Sequence, residues 1–187
     1  MKIRRKTLLN ILLIGFVLSF FLTPLGRLSK IGLMQLFAFP PRIIKAEERQ
    51  LLPTYSWTLK DADWDFFSFE RSRGRVVLVN FWASWRLPSL PELRSIQSLY
   101  ETYGDRVDFY IITNEERAPV AEFMSEHGFT FPVTYEIIGE PSPFPVGEPP
   151  RSFLIDRQGY VVIEEEGISD WDSKTVRETL DTLLREP

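Results

Sequence analysis

Residues 76–89 read VVLVNFWASWRLPS, and the fold turns on how that stretch is parsed. Val76–Phe81 is a mostly apolar run rich in β-branched residues, as expected of a strand covered on both faces. Leu90, Leu93, Ile96, Leu99, Tyr100 and Tyr103 then recur at intervals of mostly three or four before Gly104. That spacing predicts a helix with a glycine C-cap. Pro88 and Pro91 suit the first turn of such a helix, where N–H groups have no intrahelical partner. The segment therefore reads as a buried strand, a short loop and a helix.

Working outward, Val107–Thr113 (VDFYIIT) predicts a second core strand, and Val120, Phe123 and Met124 mark a helix ending at His127–Gly128. Tyr55–Leu59 alternates weakly, like a strand. Arg151–Ile155 and Tyr160–Glu164 flank Asp156-Arg157-Gln158-Gly159, the pattern of an antiparallel hairpin. Val176, Leu180, Leu183 and Leu184 predict a last helix, with Asp172 or Ser173 as N-cap. The core order β-α-β-α-β-β-α places two parallel units before a hairpin. Pro141–Pro150 (PSPFPVGEPP) is too rich in proline to pair as a central strand and reads as a stiff loop.

The amino-terminal part has a different character. Residues 7–26, TLLNILLIGFVLSFFLTPLG, hold no charge. Twenty helical residues span about 30 Å, enough to cross a hydrocarbon core. Lys2, Arg4, Arg5 and Lys6 precede them closely, whereas Arg27 and Lys30 follow more sparsely, which predicts a cytoplasmic N-terminus and an exported C-terminal portion. A cleaved signal peptide is the alternative, though no A-x-A-like site follows. Residues 27–45 form either one apolar side of a short interfacial helix or a loose tether. The expected organisation is a basic stub and signal anchor over 1–26, a juxtamembrane tether over 27–50 and an α/β domain over 51–187. The chain would be single-pass in the inner (cytoplasmic) membrane, its domain in the periplasm or outside the cell.

The 187 residues include 22 Lys+Arg, 26 Asp+Glu, one His and no Cys. Eight of the basic residues and none of the acidic ones lie in residues 1–46, leaving 14 basic against 26 acidic beyond. A domain that acidic is a poor match for nucleic acid, whose phosphates call for clustered Lys and Arg. The absence of cysteine excludes any disulfide, thiolate nucleophile or Cys-ligated metal within the chain.

The strand ending Asn80-Phe81-Trp82-Ala83-Ser84-Trp85 at a helix, with the later Pro150-Arg151-Ser152-Phe153-Leu154-Ile155-Asp156, resembles the membrane-anchored thioredoxin-like proteins of the TlpA/ResA type. These belong to the group that also holds the AhpC/TSA peroxiredoxins. The resemblance covers roughly residues 51–187 and implies a thioredoxin-like fold, a central mixed sheet flanked by helices. It further implies a thiol–disulfide oxidoreductase activity serving cell redox homeostasis, a cis Pro150 beside the site, and Glu92 at the offset where the family commonly has Glu.

Where that family carries Cys-x-x-Cys, this chain reads Arg86-Leu87-Pro88-Ser89. Exchange needs a thiolate to attack sulfur and a second thiol to resolve the mixed disulfide. Ser89 offers an alcohol of far higher pKa, and Arg86 a permanent cation. Peroxide reduction fails likewise. The reading is therefore a redox-inactive binding module, with no catalytic residue, no cofactor and no metal, and with an envelope protein or extended peptide as partner. TlpA-type oxidoreductase activity is the alternative. Arg86 is either a solvated surface residue or, together with helix N–H groups, an anion-binding point. Trp82, Trp85, Arg86, Pro88 and Pro150 would line a groove where an extended segment pairs with backbone beside the cis proline. Glu92 suits the helix dipole as well as any chemical role. His127 reads as a capping or surface residue. Glu164–Glu166, Asp170 and Asp172 read as a solvated strand end and helix cap, without calcium-loop spacing. Ser89 has no histidine in reach that would make it a hydrolase nucleophile.

Overall fold

The computed structural model describes residues 5–22, 24–145 and 147–185. Lys2 and Arg4 of the basic flank and Thr23 of the apolar run lie outside the described residues. Two compact units divide the chain, residues 1–37 and 38–187.

In the first unit, α1 covers Arg5–Leu22 and α2 covers Pro24–Leu36. Among the described residues no helix is long and apolar enough to cross a membrane.

The second unit is built on a seven-stranded mixed sheet of order β2-β1-β5-β4-β3-β6-β7. The strands are β1 (Thr58–Lys60), β2 (Phe66–Ser68), β3 (Val77–Phe81), β4 (Asp108–Thr113), β5 (Val133–Glu136), β6 (Arg151–Ile155) and β7 (Val161–Glu166). Between them run α3 (Ser89–Tyr103) and α4 (Arg117–His127), and α5 (Lys174–Leu183) closes the chain. β3, β4 and β5 are parallel, while β6 pairs antiparallel with β3 through Asn80↔Ser152 and Val79↔Phe153. The β6–β7 hairpin forms as expected, and in its turn Asp156 Oδ1 accepts the N–H groups of Gln158 and Tyr160.

Two strands escape the sequence pattern. β2 and β5 are three and four residues long. Too short to show a periodicity, they form because their neighbours offer unpaired backbone groups. β5 is the true third parallel strand, so the sequence order given above lacks one member between α4 and the hairpin. The stretch before β1 is also ordered against the sheet: Ile43 bridges to Ile163 and Leu51 to Tyr160, and Ile44 N–H donates to Val162 O.

One face of the sheet carries the helices. Tyr103 of α3 donates its hydroxyl to Asp181 of α5, and Gln97 of α3 bonds Thr130 just after α4. The opposite face is covered by loops that supply aromatic rings: Tyr55, Trp57, Phe69 and Phe144 pack on Tyr110 and Phe153. Burying a ring of phenyl size contributes about 1.5–3 kcal/mol before the entropy of ordering it. That is how a sheet face without helices stays dry.

The two helix-terminal glycines differ. Gly128 ends α4 in the left-handed region at φ 70°, where a side chain would be strained. Gly104, after α3, keeps a right-handed φ of −61°; there a Cβ would come within 2.7 Å of the Tyr100 ring, so space rather than conformation demands glycine.

Candidate functional site

The C-terminal ends of the parallel strands β3 and β4 come together with the loop before β6; Trp85 is exposed and Arg86 half-buried there, whereas Trp82 and Pro150, expected to line a groove, are buried. Trp82 extends β3 by one bond, its N–H donating to Ile112 O at 2.9 Å. Its ring is buried against Phe123, centroids 5.2 Å apart, and its Nε1–H has no partner among the described residues.

The loop from Ala83 to Pro88 is held by two successive turns. Arg86 N–H donates to Ala83 O, and Ser89 N–H donates to Arg86 O. Ser84 fixes it from the side, donating both its N–H and its hydroxyl to the Glu115 carboxylate at 2.6 Å. Glu115 had no sequence signal: it is one carboxylate in an ordinary loop, placed by the end of β4.

Ser89 is fully buried, and its Oγ accepts the Ala83 N–H at 3.3 Å. An alcohol so placed has no base and no route to a substrate. Arg86 extends across the site. Its Nε donates to Pro149 O at 2.9 Å and its Nη2 to Glu148 at 2.6 Å, with the guanidinium 5.6 Å from the Trp85 ring. The Arg86 side chain is 32% exposed, Glu148 80%. Trp85 is two-thirds exposed. The Pro149–Pro150 bond is cis, where the resemblance placed a cis Pro150.

The rest of the expected anion and peptide machinery is reduced. Pro88 and Pro91 carry no N–H, and those of Arg86 and Ser89 are consumed in turns, which leaves fewer main-chain donors beside the Arg86 cation. Pro149 has no N–H to offer a strand, and its carbonyl is occupied by Arg86.

Beneath the loop lies a buried polar cluster centred on Glu92. Its carboxyl oxygens accept from Trp171 Nε1 at 2.8 Å, Ser152 Oγ at 3.0 Å and Asn80 Nδ2 at 3.3 Å, and Asn80 Nδ2 also reaches Ser152 Oγ at 2.7 Å. All four side chains are fully buried. No cation faces the carboxylate in this network. Burial pushes its pKa up to about 8, against the lowering effect of the three hydrogen bonds. Glu92 therefore holds its proton at neutral pH. Asn80 and Ser152 are polar residues inside apolar runs, a local sign of a buried polar contact.

The remaining candidates sit elsewhere. His127 packs its ring on Phe123 at 4.5 Å. Glu164 pairs with Arg151 and Glu165 accepts the Arg42 N–H. Ser173 caps α5. A cavity of about 400 Å³ lies beside Phe144, Phe153 and Leu52, on the sheet face opposite Glu92.

Residues 47–183 match the family Redoxin. The thioredoxin-like protein YneN of Bacillus subtilis is 27% identical over 139 residues, covering 72% of this chain and 79% of that protein. The thiol-disulfide oxidoreductase ResA of Bacillus anthracis is 33% identical over 96 residues, 48% of this chain and 54% of ResA, so the chain spans about half the length of that relative. A candidate protein disulfide isomerase of Bacteroides thetaiotaomicron superposes with a TM-score of 0.63 at 19% identity, covering 80% of this chain and 96% of that one. A thiol:disulfide interchange protein of the thioredoxin family from Chlorobium tepidum superposes at 0.56 with 24% identity, over 70% and 97%. At such identities the likeness shows the fold, which is thioredoxin-like.

Proposed function

The chain belongs to the Redoxin family, and within it we propose a redox-inactive, membrane-anchored thioredoxin-like protein that works by binding. The observation that carries this reading is chemical. Of the two positions where the resemblance expects thiols, one holds a guanidinium tied to Glu148 and Pro149, and the other a buried hydroxyl serving a backbone N–H. Neither becomes a nucleophile toward sulfur. What faces solvent beside the cis proline is a tryptophan and a pinned arginine, side chains common at recognition surfaces. The ligand in this reading is an envelope protein or an extended segment of one, held through these side chains.

Oxidoreductase activity, the activity named for ResA, would require thiols from another protein. Insulin reduction driven by dithiothreitol separates the two. With the full chain in detergent the rate is expected to equal that of buffer, and measurable turnover would overturn the binding-only reading.

The anchor is supported by the uncharged run 7–26 and the basic residues before it. On it, the domain stands outside the cytoplasm. After an alkaline carbonate wash the chain is expected to stay in the membrane pellet and to be cut by protease added outside spheroplasts. Release into the wash, or protection from that protease, removes the placement.

A further inference from the structure

We infer that Arg86 recognises a carboxylate of the bound segment, and that Glu148 is the internal occupant this carboxylate displaces. The inference rests on the binding role proposed above and names the chemistry recognised there. The two members of the Arg86–Glu148 pair are unequally committed. Arg86 is two-thirds buried and oriented by a second bond, from Nε to Pro149 O, while Glu148 lies in the proline-rich loop with 80% of its side chain in water. A carboxylate so exposed gives up little on leaving, since ion pairs of solvated groups are weak and screened. The guanidinium, by contrast, stays in place with one fork free.

The surroundings select the replacement. Glu115, the carboxylate across the loop, is engaged by Ser84 N–H and Oγ. Pro88 and Pro91 remove helix N–H groups that would otherwise share an anion, and Pro149 offers no N–H for strand pairing. Recognition therefore falls to side chains: the cation of Arg86 and the exposed ring of Trp85 beside it. The fitting ligand is an extended segment with Asp or Glu next to an aromatic or aliphatic residue.

Two heptapeptide pools test this on the full chain in detergent, one with Phe-Glu and one with Phe-Gln at the centre, other positions randomised. Wild type is expected to prefer the Glu pool. Glu148→Gln should bind that pool about two- to fivefold more tightly, the range of one partly exposed ion pair, and leave the Gln pool unchanged. Arg86→Gln should abolish the preference. If both pools bind all three proteins equally, the carboxylate inference falls while the binding role survives. If neither pool binds any of them at millimolar concentration, both fall together.

Discussion

Replacing Glu92 by Gln is expected to stabilise the protein at alkaline pH and to change little in acid. The carboxyl is fully buried with three hydrogen-bond donors and no cation in its network, and its pKa stands near 8 against an ordinary value of 4.5. The raised value means that the folded state holds a proton which the unfolded chain releases between those two pH values. Below about pH 4.5 the group is protonated in both states and costs nothing by this route. As pH rises from there to 8 the folded state loses stability progressively, and above 8 the loss is complete. At about 1.4 kcal/mol per unit, a shift this large corresponds to several kcal/mol. Gln keeps the shape and an oxygen for Trp171 and Ser152 but cannot ionise. For a domain of this size the Glu92→Gln variant should melt on the order of 10 °C higher than wild type at pH 9, with the two melting points converging near pH 4. Melting curves of the full chain in detergent measure this, and parallel pH profiles would refute it.

A second large effect is expected from restoring sulfur. The Arg86→Cys/Ser89→Cys variant places two thiols three residues apart across the turn that leads into α3, the turn closed by Ser89 N–H donating to Arg86 O. The helix N-terminus that follows favours the thiolate of the outer one. The inner position, already dry and touching the Ala83 N–H, suits a resolving thiol. Insulin reduction should rise from the buffer rate to at least about tenfold above it, while either single substitution should remain near background for want of a resolving partner. A double variant with two titratable thiols and no turnover would mean that the scaffold, and not only the missing sulfur, is incompetent.

These two outcomes draw on different kinds of information. Local pattern located β3, α3, β4, α4, the β6–β7 hairpin and α5, through apolar runs, three-to-four spacing and turn or cap residues close in sequence. β2 and β5, at three and four residues, were illegible, since their existence depends on backbone groups left open by strands far away in sequence. The same limit applied at the site. Arg86 was recognisable as an oddity, but its partners stand 62 and 63 residues further along the chain. Glu92 was recognisable as an N-terminal helix acid, yet Ser152 and Trp171, which bury it, lie 60 and 79 residues away.

Composition is enough to show that this protein has no thiol nucleophile, because it is indifferent to folding, and short-range sterics and local apolar pattern set the longer elements. That Glu92 has no cation in its network among the described residues, and that Arg86 faces a carboxylate from the proline-rich loop, follows from the folded chain. Both depend on strand order, which brings β6 against β3 and sets the electrostatic environment of each group through neighbours that local pattern does not encode.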